Sequence, residues 1–339
     1  MQRTLTAVIA ATLSVVFLAG DAVADFNDKK PITATVTGAT PSGYPRVMIE
    51  GLNAIVREAY PDSAVSLKPN SPGGGVLAIA EKEADFTGTA TGTEIKLAND
   101  GTKPFPASLK GKFSYVMELY NNQFIHFLMT KAWADENGIK SFDDIAKKKP
   151  KMRLAINRDD NPQTTIGGPY EMMKAHGFTY DDVAKWGGNY VLGNSAIGLD
   201  AIKDGKADVF MNARNLNDSL VKDIHGTRPL LWIDGDPAKV EKAAAVFSNK
   251  MDMVKKETYP FMAKDYPTIR MSVMLLAGSH VSDETVYKYT KAIAENEASV
   301  RKIGGSLSTF DAKNMAVNSP KLPIHPGALR YYKEKGSVK

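Results

Sequence analysis

One recurring order constrains this chain more than any other feature: a short β-rich run, then a polar loop containing glycine, then a helix with one apolar face. Ile32–Thr37 reads as a strand. Met48, Leu52, Ile55, Val56 and Ala59 then recur at helical spacing. Ala64–Leu67 is strand-like, Val76–Lys82 helical, and Asp85–Thr89 a strand again. Strands alternating with helices through short links predict an α/β sheet with mainly parallel strands.

A second α/β stretch follows. Two β-rich runs, Phe113–Leu119 and Phe124–Thr130, are separated by Tyr120-Asn121-Asn122-Gln123. Ser141 with Asp144 three residues on predicts a capped helix start. Met152–Ile156, Ala207–Met211 and Leu230–Ile233 read as strands, and Ser195–Lys203 as a helix closed by Gly205. Beyond Pro237 the pattern turns mostly helical, with the longest helix expected from Ser282 to Gly304-Gly305. No internal repeat and no low-complexity linker separates the two stretches. They read as two lobes joined by direct crossings, near Asn121–Gln123 and near Trp232–Gly235, with a ligand cleft between them.

Before the first strand, Arg3, the apolar stretch Leu5–Ala19 and the small-residue triplet Ala22-Val23-Ala24 form the three-part pattern of a secretory signal. The expected division is therefore 1–24 signal peptide, 25–122 first part of lobe one, 123–232 lobe two, and 233–339 the return to lobe one with hinge and docking helices. The mature chain would start at Asp25 in the periplasm. There is no cysteine, which excludes disulfides, thiolate catalysis and a lipoprotein anchor. The formal net charge is +5, without a run of five basic residues; Lys147-Lys148-Lys149 beside Pro150 reads as a solvated helix end, not a nucleic-acid patch.

Catalytic patterns are poor. None of the histidines at 126, 176, 225, 280 and 325 has a second histidine at i+3 or i+4. No Gly-x-Ser-x-Gly elbow occurs, and the Asp159-Asp160 and Asp181-Asp182 pairs read as turn and cap residues. The expectation is a binding protein, not an enzyme, with neither cofactor nor metal. What the loops offer is anion binding: helix N-termini present free N–H groups, glycine admits close approach, and hydroxyls add hydrogen bonds. On lobe one the candidates are Thr37, Gly38, Thr40, Ser42, Gly43 and Tyr44 in the first loop, Ser71, Gly73 and Gly74 in the second, and Thr89 in the third. On lobe two they are Arg158 and Thr164 after the Met152 strand, and Asn212 and Arg214 after the Ala207 strand. Each arginine could grip a carboxylate bidentately or serve in a salt bridge.

The C-terminal string Leu322-Pro323-Ile324-His325-Pro326-Gly327-Ala328-Leu329-Arg330-Tyr331-Tyr332-Lys333-Glu334-Lys335-Gly336 and the helical run Val286-Tyr287-Lys288-Tyr289-Thr290-Lys291-Ala292 carry a family resemblance. The chain resembles the TAXI-type solute-binding proteins of tripartite ATP-independent periplasmic (TRAP) transporters. Gly205-Lys206-Ala207-Asp208, Glu83-Ala84-Asp85-Phe86 and Gly43-Tyr44-Pro45 are weaker matches. The resemblance implies an α/β, two-lobed type II periplasmic-binding-protein fold with a closing cleft. It further implies capture of a small organic anion, a dicarboxylate or glutamate-like compound, by a monomer that hands it to a TRAP permease of fused large and small subunits. Asn157–Thr165 stands where that family usually carries a Gly-Ser-Gly-Thr-like turn. Two alternatives stay open on sequence: a periplasmic partner of a sensor kinase, and an enzyme on the same fold.

Overall fold

Strand and helix alternate from the start of the computed structural model, which describes residues 26–38, 44–69, 73–157 and 167–338. The first part runs β1 (Thr33–Thr37), α1 (Tyr44–Ala59), β2 (Ala64–Leu67), a 3-10 turn at Gly73–Gly75, α2 (Val76–Ala80), β3 (Phe86–Ala90) and α3 (Gly92–Asp100). The middle runs β4 (Phe113–Thr130), α4 (Lys131–Asn137), α5 (Phe142–Lys148), β5 (Arg153–Ile156), α6 (Gly168–Ala175), α7 (Tyr180–Lys185), β6 (Asn189–Leu192), α8 (Ser195–Lys203), β7 (Val209–Asn215), α9 (Ser219–Thr227) and β8 (Leu230–Trp232). The last part runs α10 (Pro237–Ala245), β9 (Lys250–Val254), β10 (Tyr266–Gly278), α11 (Asp283–Glu295), α12 (Glu297–Lys302), a 3-10 turn at Gly305–Thr309 and α13 (Pro326–Glu334).

Local chemistry sets these boundaries. On α1 the apolar stripe Met48, Ile49, Leu52, Ile55 and Val56 is buried, as its spacing requires. Thr91 and Glu94 form a capping box at the start of α3, and Gly101 ends the helix in the left-handed region. The expected Ser141–Asp144 box opens α5.

The strands form one sheet in the order β2-β1-β3-β10-β4-β7-β5-β6, with β8 beside β4 and β9 beside β10. At the outer ends, β1 is parallel to β2 and β3, and β5 is parallel to β6 and β7. At the centre, β10 runs antiparallel to β3 and β4, and β4 antiparallel to β7. These directions point the C-terminal ends of β1 and β3 toward the second lobe, and those of β5 and β7 toward the first.

Two lobes are packed separately. On β4, Tyr120 belongs to the core of the first lobe and Phe124 to that of the second. On β10, Met271 belongs to the second and Val273 to the first. The pairing of β10 with β4 shifts register between Met271 and Val273, and again before Met274. Bulges of this kind bend a strand, which lets both strands pass between lobes that are not coplanar.

Three sequence expectations change. Tyr120–Gln123 does not divide two strands; β4 is continuous over 18 residues because each half has a partner, β10 in one lobe and β7 in the other. The stretch after Pro237 is not mostly helical; it contains β9 and the 13-residue β10, and the second core runs on through Val240, Val254 and Met271, past the crossing expected near Trp232–Gly235. The long helix breaks at Asn296 (φ −117°, ψ 36°) into α11 and α12. In the first lobe the far edge of β4 is covered by chain: Tyr115 N–H donates to Pro323 O, His325 N–H to Tyr115 O, and Glu118 N–H to Met315 O. No helix among the described residues is long and apolar enough to cross a membrane.

Candidate functional site

Three strand ends of the first lobe meet at one point. Thr89 Oγ1 donates to Gly38 O at 2.9 Å, and Thr87 Oγ1 donates to Gly74 O. Thr37, fully buried, donates from Oγ1 to Lys68 O at 2.8 Å. Gly38 has φ 103°, and a Cβ there would stand 2.3 Å from Thr89 Oγ1 and 2.6 Å from Thr87 Oγ1. A Cβ on Gly74 would press on the buried Glu94 at 3.1 Å, and one on Gly73 on the Phe105 ring at 3.0 Å. Thr37, Gly38, Gly73, Gly74 and Thr89 are thus gathered by β1, the 3-10 turn and β3. Threonine hydroxyls of β3 thus fasten the backbone at Gly38 and at Gly74.

Thr40, Ser42, Gly43, Ser71, Arg158 and Thr164 lie outside the described residues. Tyr44 does not present its hydroxyl openly. That group donates to Gly304 O at 2.8 Å and accepts from Leu307 N–H at 2.9 Å, while its ring lies against Gly305. Burial raises its pKa. The first turn of α1 is therefore pinned to the segment after α12.

In the second lobe β7 carries both expected residues on one face, Asn212 opposite His126 and Arg214 opposite Phe124. Asn212 is 3% exposed; its Oδ1 accepts from Ala213 N–H at 2.8 Å, and its Nδ2 has no partner among the described residues. A buried amide donor without an acceptor is costly unless something fills the gap. Arg214 is already paired. Its Nε donates to Asp218 Oδ2 at 2.7 Å, Nη2 lies 2.5 Å from the same oxygen, and Nη1 donates to Ser195 Oγ at 2.9 Å. Its remaining guanidinium N–H groups have no partner among the described residues.

Sequence reasoning missed what holds Arg214. Asp218 Oδ1 caps α9 by accepting from Leu220 and Val221 N–H, and its backbone N–H donates to Tyr259 Oη at 3.2 Å. The Tyr259 hydroxyl is 2.7 Å from His126 Nε2. The Phe124 carbonyl, 3.0 Å from Nδ1, can only accept, so Nδ1 carries the proton; in the neutral ring Nε2 then accepts and the Tyr259 hydroxyl donates to it. Burial, the largest influence, pushes the His126 pKa down to about 4. The i, i+4 spacing of Arg214 and Asp218 was a readable signal; the link to Tyr259, 41 residues on, was not.

The lobes also touch beside the strand ends. Ser306 Oγ donates to Asn215 Oδ1 at 2.9 Å, and Asn122 Nδ2 donates to Ser306 O at 3.2 Å. No cluster of three or more metal-ligating side chains occurs among the described residues. Thus the polar strand ends of two lobes face each other, with hydroxyls and backbone on one side and a paired arginine and an unsatisfied amide on the other.

Residues 36–336 match the model of the NMT1-like family. Among solved structures, PhnD1 from Prochlorococcus marinus, in complex with methylphosphonate, is similar over 92% of this chain and 100% of its own, with a TM-score of 0.50 at 12% identity. A binding protein component of an ABC phosphonate transporter from Pseudomonas aeruginosa is similar over 81% and 78%, with a TM-score of 0.49 at 11% identity. An ABC-transporter choline binding protein in complex with choline is similar over 90% and 89%, with a TM-score of 0.48 at 13% identity. The likeness is one of fold: two α/β lobes of the periplasmic-binding-protein kind with a cleft between them.

Proposed function

This chain belongs to the NMT1-like family, and from that premise we propose that it is an exported solute-binding protein of a membrane transporter. It captures a small organic anion, a dicarboxylate or glutamate-like compound, between its lobes. It then delivers that anion from the periplasm to a TRAP-type permease and performs no chemistry on it. The observation that carries this reading is the convergence of glycine and threonine strand ends at Gly38, Gly74 and Thr89, facing a lobe whose strand ends hold Arg214 and the unsatisfied Asn212. The fold by itself does not choose the ligand, since the similar structures carry methylphosphonate in one case and choline in another. Hydrogen-bond donors support an anion. Arg214, although paired with Asp218, keeps guanidinium N–H groups without a partner among the described residues, and Asn212 Nδ2 is a donor. The mature chain begins at Asp25, after the Ala22-Val23-Ala24 site.

Native mass spectrometry of protein purified without dialysis identifies any ligand carried through. A thermal-shift screen of L-glutamate and succinate against glucose and L-lysine tests the class. A ligand at 100 times its Kd should stabilise the fold by about 2.7 kcal/mol. Stabilisation by the acids alone is expected; stabilisation only by glucose or lysine ends the anion reading. Uptake in vesicles driven by an ion gradient without ATP separates a TRAP permease from an ATP-driven one.

A further inference from the structure

A second polar recess lies at the hinge and is built from both lobes. It encloses about 140 Å³ between Glu118 on β4, Arg270 and Ser272 on β10, the turn Ser248–Lys250, and the segment around Asn314. A neighbouring recess of about 160 Å³ shares Glu118, Asn121 and Asn314 with it and adds Asp311. Glu118 stands on the wall common to both.

The charges in this double recess are separated. Glu118 is 7% exposed and makes no ion pair among the described residues; its one side-chain partner is Asn121 Nδ2 at 3.0 Å. A carboxylate so deeply placed ordinarily has a cationic partner. Among the described residues the Asp311 carboxylate is bonded only to Lys313 N–H and Asn314 Nδ2. The recess is also lined by Lys250, which makes no ion pair among the described residues, and by Arg270, whose Nη1 is 3.2 Å from Asp252. Asn249 Nδ2 is buried there without an acceptor. The lining thus holds a carboxylate without a cation and an amide donor without an acceptor among the described residues.

We propose that this hinge recess binds a small zwitterion, an α-amino acid of minimal side chain, with its ammonium on Glu118 and its carboxylate toward Arg270 and Asn249. The site is separate from the cleft of the proposed function. Its walls come from both cores, and the Ser248–Lys250 turn is fastened to the first lobe: Phe247 is buried in a first-lobe cluster, and a Cβ on Gly92 would lie 1.9 Å from Phe247 O. A change in the angle between the lobes must alter the spacing of Glu118 and Arg270. A bound zwitterion therefore favours one lobe angle and tunes cleft affinity, as linkage requires.

Titration calorimetry with glycine tests this, with acetate and methylammonium as half-ligands. Glycine should bind at least tenfold more tightly than either half-ligand. Glu118→Gln and Arg270→Met should each weaken glycine at least tenfold, and Arg214→Ala should not. Equal binding of methylammonium and glycine, or no loss in Glu118→Gln with circular dichroism unchanged, overturns the proposal. If Arg214→Ala abolishes glycine binding while Glu118→Gln does not, glycine occupies the cleft: the hinge site falls and the cleft reading stands.

Discussion

At the residue scale, the second lobe's grip depends on one carboxylate with two tasks. Asp218 caps α9 with one oxygen and holds Arg214 with the other, and both side chains are largely buried at 13% and 17% exposure. Asp218→Ala should lower unfolding stability in urea by about 3–5 kcal/mol, the range for stripping a buried ion of its partner, whereas Asp218→Asn, which keeps a cap, should lose less. Arg214→Ala should weaken the anion chosen by the thermal screen by about 2–5 kcal/mol if the guanidinium closes on it, and by less than about 1 kcal/mol if its whole role is to hold Asp218. His126 reports on the same network through pH. The folded protein keeps it neutral down to about pH 4, while an unfolded imidazole takes up a proton near 6.5. Between those values the unfolded chain binds more protons, so stability is full above about pH 6.5 and falls as the pH drops toward 4, by on the order of 3 kcal/mol. Urea midpoints of wild type and His126→Gln, compared at pH 7 and 4.5, should show the wild type losing more. Gly38→Ala combines a positive φ with a clash on two threonines, and should cost about 1–3 kcal/mol.

At the element scale, the two motifs that carried the family resemblance lie away from the cleft. Both pack in the first lobe, on α11 and α13, where they receive the start of the described chain. Lys288, with a fully buried side chain, donates to Asp28 at 2.5 Å, to Glu284 at 2.6 Å and to Lys30 O at 3.1 Å. The Asp28 carboxyl is held down to about 2, first by its bond from Lys288. Phe26 stacks edge-on to Tyr287 and lies under the Arg330 guanidinium. His325 caps α13 by accepting from Gly327 N–H, as a helix-docking reading requires. Burial is asymmetric: the lysine is enclosed and its partners are partly exposed. Lys288→Met should therefore disturb stability less than the double variant Asp28→Asn with Glu284→Gln, which leaves an enclosed ammonium unpaired. Melting temperatures of the two variants decide it, and an equal fall in both would count against the asymmetry.

At the scale of the whole molecule, the lobes are joined by β4 and β10 and touch at Ser306–Asn215. A ligand held by both lobes prefers the closed arrangement and shifts the population toward it. Small-angle scattering with saturating L-glutamate or succinate should show a smaller radius of gyration than the free protein. An unchanged radius in the presence of demonstrated binding would mean that capture needs no closure. Tyr44→Phe removes the hydroxyl that bridges α1 to the Gly304–Leu307 turn; because Leu307 N–H also donates to Gly304 O at 3.2 Å, the loss in urea denaturation should be only about 1 kcal/mol.

Periodicity and capping chemistry are properties of neighbouring residues, so they were legible without a structure. The apolar stripe of α1, the Ser141 cap, the α/β alternation and the gathering of glycine and threonine at first-lobe strand ends were all readable in this way. The continuous β4 and the long β10 were not. Asn121-Asn122-Gln123 looks like a turn by composition, and only partners far away in sequence, such as Ser306 for Asn122 and Asn215 for Gln123, make it a strand. For the same reason the sequence left Arg214 between a carboxylate grip and a salt bridge, while tertiary packing supplied Asp218, Ser195 and Tyr259 around it. A side chain's type states what it can bond. Which bonds it makes is decided by long-range packing, which brings together groups that no local pattern relates.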